Sequence, residues 1–146
     1  MTMRDVGRDQ FPHFLTIPTR WMDNDAYQHI NNVMYYSYFD TAANQFLIER
    51  GVLDIHHGEV VGFVVDSGCA YFSSISFPDV IHAGIRVAKL GNSSVRYKIA
   101  LYRNDDARPC AAGHFVHVYV ERSSNRSVPI PASVRSMLET IISTFG

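Results

Sequence analysis

Arg20-Trp21-Met22-Asp23-Asn24-Asp25-Ala26-Tyr27-Gln28-His29-Ile30-Asn31-Asn32-Val33-Met34-Tyr35 sets two carboxylates, a histidine and two asparagines directly before an apolar helical run. From Val33 to Arg50 the apolar positions Tyr35, Phe39, Ala42, Ala43, Phe46 and Leu47 recur at helical spacing, which predicts one long, deeply buried helix. Asn31 or Asn32 caps its start, and Gly51 sits where a left-handed C-terminal cap belongs. Ala42 and Ala43 let the helix backbone approach a sheet closely. A carboxylate held in a loop beside the backbone N–H groups of a helix start supplies a base or nucleophile, together with donors for a developing oxyanion. The stretch reads as an active-site loop suited to acyl transfer.

Outward from the loop the pattern changes. Phe14 to Arg20 reads as a short strand in which Pro18 is tolerable only at an edge or bulge. After the helix the period becomes two: Glu59 to Ser74 predicts a long strand, with a bulge where Asp66-Ser67-Gly68 interrupts the apolar run. Val80–Leu90, Ser94–Arg103 and Ala111–Glu121 alternate more cleanly, and Gly91-Asn92 and Asn104-Asp105-Asp106 punctuate them as hairpins. Pro129 and Pro131 end the sheet, and Val134, Met137, Leu138, Ile141 and Ile142 make the stripe of a short C-terminal helix. The expectation is an α+β fold over residues 1–146, a single domain in which an antiparallel five-stranded sheet wraps a long central helix. The strands are expected to follow one another through hairpins. The sheet's other face and its edge then call for a second copy of the chain.

Composition narrows the function. With 146 residues, 47% of them hydrophobic and 18% charged, the chain can fold around its own core. A net charge of −1 supplies no global basic field, which argues against nucleic acid and anionic membrane as partners. Cys69 and Cys110 do not make a disulfide framework, and residues 1–10 are too polar for a signal peptide, so a cytoplasmic setting is expected. The histidines are scattered and His56-His57 lacks further ligands at metal spacing, so no metal is expected.

Asp23-x-Asp25, then His29-Ile30-Asn31-Asn32 and Tyr35, resemble the hotdog-fold thioesterases of the 4-hydroxybenzoyl-CoA thioesterase-like group. That group carries an Arg or aromatic before Asp-x-Asp, then His-Val-Asn-Asn and a tyrosine-bearing helix. The Gly91-Asn92-Ser93-Ser94 turn and the Pro129-Ile130-Pro131 lead into the last helix are similar as well. Gln28 departs from the glycine many members have, and Tyr27 stands where plant acyl-carrier-protein thioesterases place Asn. The resemblance implies a hotdog fold, hydrolysis of acyl-CoA or acyl-carrier-protein thioesters, and a homodimer or homotetramer with sites between subunits. No cofactor is implied, coenzyme A being part of the substrate. Asp25 falls on the group's catalytic carboxylate, and the backbone around Gln28 to Ile30 on its thioester-oxygen site.

A thioester is already activated, so Asp25 can attack the carbonyl to give a mixed anhydride or deprotonate a water. His29 can polarise or position the thioester and Asn32 can touch substrate, although a packed histidine and a simple helix cap are the plainer readings. Asp23 belongs to the loop, paired with Arg20, and Asp40 and Glu49 are paired or solvated. Tyr35 and its aromatic neighbours can wall an acyl pocket. Arg96, with Arg86 and Lys98, can meet the phosphates of coenzyme A, against the plainer reading of solvated strand charges, and Ser93 and Ser94 at the hairpin turn can contact its nucleotide. Two other functions share this fold: a non-catalytic acyl-CoA binding module, and a dehydratase or hydratase on the same carriers.

Overall fold

In the computed structural model, which describes residues 2–53 and 58–142, the runs of period two are strands and the helical run is a helix. The elements are β1 (His13–Pro18), α1 (Asn32–Glu49), β2 (Val60–Tyr71), β3 (Val80–Leu90), β4 (Ser94–Arg103), β5 (Ala111–Glu121) and α2 (Ala132–Glu139). The five strands form one antiparallel sheet in the order β1-β3-β4-β5-β2. This is the hotdog architecture: a long helix held in a wrapping sheet, with a short helix at the C-terminal end. Pro18 sits on edge strand β1, where its missing N–H costs no ladder bond.

Hairpins join β3 to β4 and β4 to β5, but β2 does not pair with β3 as the hairpin expectation had it. It pairs with β5 at the far edge. The reason lies in the connection. Phe72 and Ser73 donate their N–H groups to the Cys110 carbonyl, and Arg103 reaches the Ser74 carbonyl, so the chain runs past the end of the sheet before entering β3. That crossing also meets the loop before α1, where the Ile30 N–H donates to the Ile75 carbonyl at 2.7 Å.

The core lies between α1 and one sheet face. Phe39, Ala42, Ala43 and Phe46 are buried against Ile81, Ala83, Ile85 and Val87 of β3 and Tyr97 and Ile99 of β4. Val134 and Leu138 of α2 join the same core. Of the two candidate caps, Asn31 acts, its side chain accepting from the Val33 N–H at 3.1 Å, and Gly51 closes the helix at φ +73°. The register shift in β2 falls between Val64 and Asp66, one step before the expected bulge, and β3 carries a second between Val87 and Lys89.

The outer sheet face is covered in part by the chain's own start rather than left wholly to a second copy. Val6 and Phe11 pack on Ala100, Tyr102 and Ala112, and Tyr102 Oη donates to the Val6 carbonyl. A Cβ at Gly84 would lie 2.8 Å from the Phe11 ring, so glycine there makes room for it. Arg86 is consequently 1% exposed, its guanidinium over the Phe11 ring, and is not the solvated strand charge its sequence position suggests. Among the described residues no helix is long and apolar enough to cross a membrane.

Candidate active site

The loop from β1 to α1 is built on two aspartates with different surroundings. Trp21–Asp23 make one 3-10 turn, and the Asp23 carboxylate folds back to accept from the Arg20 backbone N–H and from its guanidinium at 2.9 and 3.1 Å. Tyr38 Oη, on the buried face of α1, donates to the same carboxylate at 3.1 Å. Burial alone would push this carboxyl up. The hydrogen bonds from Arg20 and Tyr38 and the guanidinium's charge outweigh it and hold the group below its ordinary value. Asp23 is a structural pin, paired with Arg20 as its spacing suggested.

Asp25 starts a tight turn. Its Oδ1 accepts from the Tyr27 N–H at 2.8 Å and weakly from the His29 N–H at 3.4 Å, while its backbone N–H donates to the His29 carbonyl at 2.7 Å. The second carboxylate oxygen takes no hydrogen bond among the described residues. Gln28 closes the turn at φ +64°, a left-handed conformation that favours glycine. Ser76 Oγ holds the Gln28 carbonyl, and Asn24 Oδ1 accepts from the Phe77 N–H. The turn therefore rests on the crossing segment between β2 and β3.

The donors at the helix start differ from the expected set. The N–H of Gln28 donates to the Asp25 carbonyl, that of Ile30 to Ile75, that of Asn31 to Asp23 and that of Val33 to the Asn31 side chain. The expected oxyanion donors at Gln28 and Ile30 are thus occupied, because the turn and the crossing need them. Between residues 28 and 34 the structure leaves the Asn32 N–H without a partner among the described residues.

Asp25, Asn32, Ile30 and Tyr35 line a cleft of about 390 Å³ together with Tyr71 and Ser74, within the size range of small-molecule sites. Tyr71 comes from the end of β2; its ring meets Tyr35 at 4.8 Å and its hydroxyl donates to the Asn32 carbonyl at 3.4 Å. Burial pushes the Tyr35 and Tyr71 phenols up to about 12, so both stay neutral and serve as donors or walls, not as bases. No motif marks Tyr71 or Ser74; the topology that lays the end of β2 beside the α1 start brings them in.

Gln28 and His29 are exposed and lie outside the cleft lining. Ser93, Ser94 and Arg96 lie at the far end of the β3–β4 hairpin, where the Ser93 carbonyl accepts from the Tyr119 N–H. The Asp25 loop abuts the other end, with the Thr19 N–H on the Asp79 carbonyl. At about 3.3 Å per residue the length of β3 separates the two groups by roughly 30 Å, so one chain does not bring them together. Asp40 accepts from the Asn44 side chain and Glu49 from Gln45, which accounts for both helix acids. Among the described residues no cluster of His, Cys, Asp and Glu could hold a metal, and His56-His57 lie outside those residues.

Residues 19–138 match the Thioesterase-like superfamily. The PA5185 protein from Pseudomonas aeruginosa strain PAO1 has a similar structure at TM-score 0.93 and 54% identity, over 96% of this chain and 98% of that one. The PA2801 protein from Pseudomonas aeruginosa follows at TM-score 0.81 and 30% identity, over 87% and 98%. A gentisyl-coenzyme A thioesterase, BH1999, shares the fold at TM-score 0.77 and 22% identity, over 86% and 99%.

Proposed function

The chain belongs to the thioesterase-like superfamily, and on that premise we propose that it hydrolyses acyl-CoA or acyl-carrier-protein thioesters in the cleft at Asp25. Membership carries a thioesterase-type hydrolase in general. The choice of reaction centre rests on one observation: Asp25 is anchored through Oδ1 while its other oxygen is left to the cleft it shares with Asn32, whose N–H is unspent. A thioester carbonyl between them meets a carboxylate on carbon and a donor on oxygen. Attack by Asp25 forms an acyl–carboxylate anhydride and releases the thiolate, which takes a proton; water then opens the anhydride to the acid. General-base action instead moves a water proton to Asp25 as the hydroxide adds to the carbonyl. In both, the Asn32 N–H meets the negative oxygen as it develops.

Coenzyme A as carrier is supported by the fold neighbour named for a coenzyme A thioester. A homodimer is supported by β2. This Pro-free edge strand leaves Phe63, Val64 and Val65 exposed at 47, 47 and 60%, a bare edge that pairing with a second copy would cover. Action in the cytoplasm fits free thiols at Cys69 and Cys110. The test is free-thiol release from short, long and aromatic acyl-CoAs by wild type and Asp25→Ala. Release that disappears in the variant supports the reading; equal release by both proteins overturns the assignment of Asp25.

A further inference from the structure

The outer face of the sheet, turned away from α1, carries a second group of chemically active side chains. Lys98 shares the period-two face of Ala100 and Tyr102 on β4, and His114 that of Ala112 on β5, so both lie on the side that Val6 and Phe11 partly cover. They stand directly across the ladder from one another. With Met3, Gly68, Ala70 and Ala112 they line a cleft of about 290 Å³. Its floor is small and apolar, and a void of about 150 Å³ already holds a benzene ring.

The charges around Lys98 are of one sign. Arg86 faces it across the β3–β4 ladder, and further along the same ladder Lys89 faces Arg96. Like charges directly opposite one another destabilise a sheet. Lys98 itself makes no hydrogen bond or ion pair among the described residues. Burial, and then the charges of Arg96 and Arg86, push its ammonium below the ordinary value, which favours the neutral amine. A lysine desolvated beside other cations is an activated nucleophile.

His114 is its companion. The imidazole Nε2 meets the Asp66 carboxylate at 3.1 Å, so in the neutral ring Nε2 carries the proton and Nδ1 keeps a lone pair. A Cβ at Gly68 would stand 2.6 Å from this ring, so glycine there leaves it room to reach Asp66 on β2.

We propose that Lys98 is an acylation site, its Nζ taking the acyl group of a thioester and the outer-face cleft receiving that group. The inference rests on the thioesterase reading for its acyl donor and on none of the Asp25 chemistry. Lys98 first gives its ammonium proton to solvent. The amine then forms a C–N bond to the thioester carbonyl carbon, the C–S bond breaks with its electron pair left on sulfur, and the proton shed by nitrogen passes through His114 to the thiolate. The products are an amide and a free thiol. Because the amide is neutral, the step also removes the charge opposed to Arg86.

The chain has two lysines, and Lys89, exposed and outside the cleft, is the internal reference. Wild type and Asp25→Ala, the variant chosen to spare the donor from hydrolysis, are incubated with acetyl-CoA and with benzoyl-CoA, and acyl-lysine is followed by peptide mass mapping. Acylation of Lys98 is expected about 10²-fold faster than that of Lys89, the low end of what a positioned proton acceptor contributes. His114→Asn slows Lys98 toward the Lys89 rate and leaves Lys89 unchanged, with thermal melts establishing that the variant is folded. Equal rates at the two lysines, or a Lys98 rate unmoved in folded His114→Asn, overturns the proposal. Catalytic thiol release reports separately on Asp25. Hydrolysis without preference for Lys98 therefore defeats this inference alone, and selective Lys98 acylation in a wild type that turns over no thioester defeats the thioesterase reading alone.

Discussion

Asp23 and Asp25 are separated by one residue and by nearly everything else in their surroundings. Asp23 is 1% exposed and surrounded by donors, whereas Asp25 spends one oxygen on its own turn. The depressed Asp23 carboxyl gives a signed prediction. A group whose folded value lies below its unfolded value stabilises the fold above the unfolded value, about 3.9, and loses that contribution as pH falls through the folded one. The melting-temperature gap between wild type and Asp23→Asn should therefore be constant from about pH 5 to 8 and shrink below about pH 4; a gap independent of pH down to 2 would contradict the assignment. Gln28 gives another. At φ +64° a β-branched residue is strained, so Gln28→Val should destabilise by about 1–2 kcal/mol in denaturant melts while Gln28→Gly is neutral or stabilising. The Asp23–Arg20 pair was readable in sequence, and the cap was narrowed to Asn31 or Asn32, because those partners lie within a few residues. Tyr71 was not, since only the crossing from β2 to β3 brings it to the cleft.

At the scale of elements, periodicity located α1 and the β3, β4 and β5 strands almost to the residue, because each has one face on a single core. It did not place β2 at the far edge. Strand order depends on where a long connection is held, here by the Cys110 carbonyl and Arg103, and neither contact has a local sequence signal. The cover supplied by Val6 and Phe11 was hidden for a related reason: two apolar residues in a polar stretch show no period. The exposed middle of β2 carries its own prediction. Val64→Asp sets like charges from two copies near one another on the paired edge, beside Asp66, so sedimentation should show the dimer shifting to monomer with α1 and the sheet intact by circular dichroism. An unchanged sedimentation coefficient would place any pairing elsewhere.

For the whole molecule, the hotdog frame explains why one chain carries the proposed Asp25 centre without all of its candidate contacts. The Asp25 cleft sits at one end of the sheet, and Ser93, Ser94 and Arg96 sit at the other. Ser93 and Ser94 lie in a turn that resembles the family's and Arg96 was read from its strand face, but their distance from Asp25 is a property of strand length that no motif records. Joint use of the two ends would pass through a second copy, and the proposed dimer would then link activity to association. The central claim still belongs to a single carboxylate. Its most direct measurement is kcat/KM for acyl-CoA hydrolysis by Asp25→Asn, which retains an oxygen for the Tyr27 N–H and so preserves the turn while removing the base or nucleophile. The account predicts a loss of roughly 10²–10⁴-fold with an unchanged melting temperature. Hydrolysis at the wild-type rate by a folded Asp25→Asn protein would contradict it.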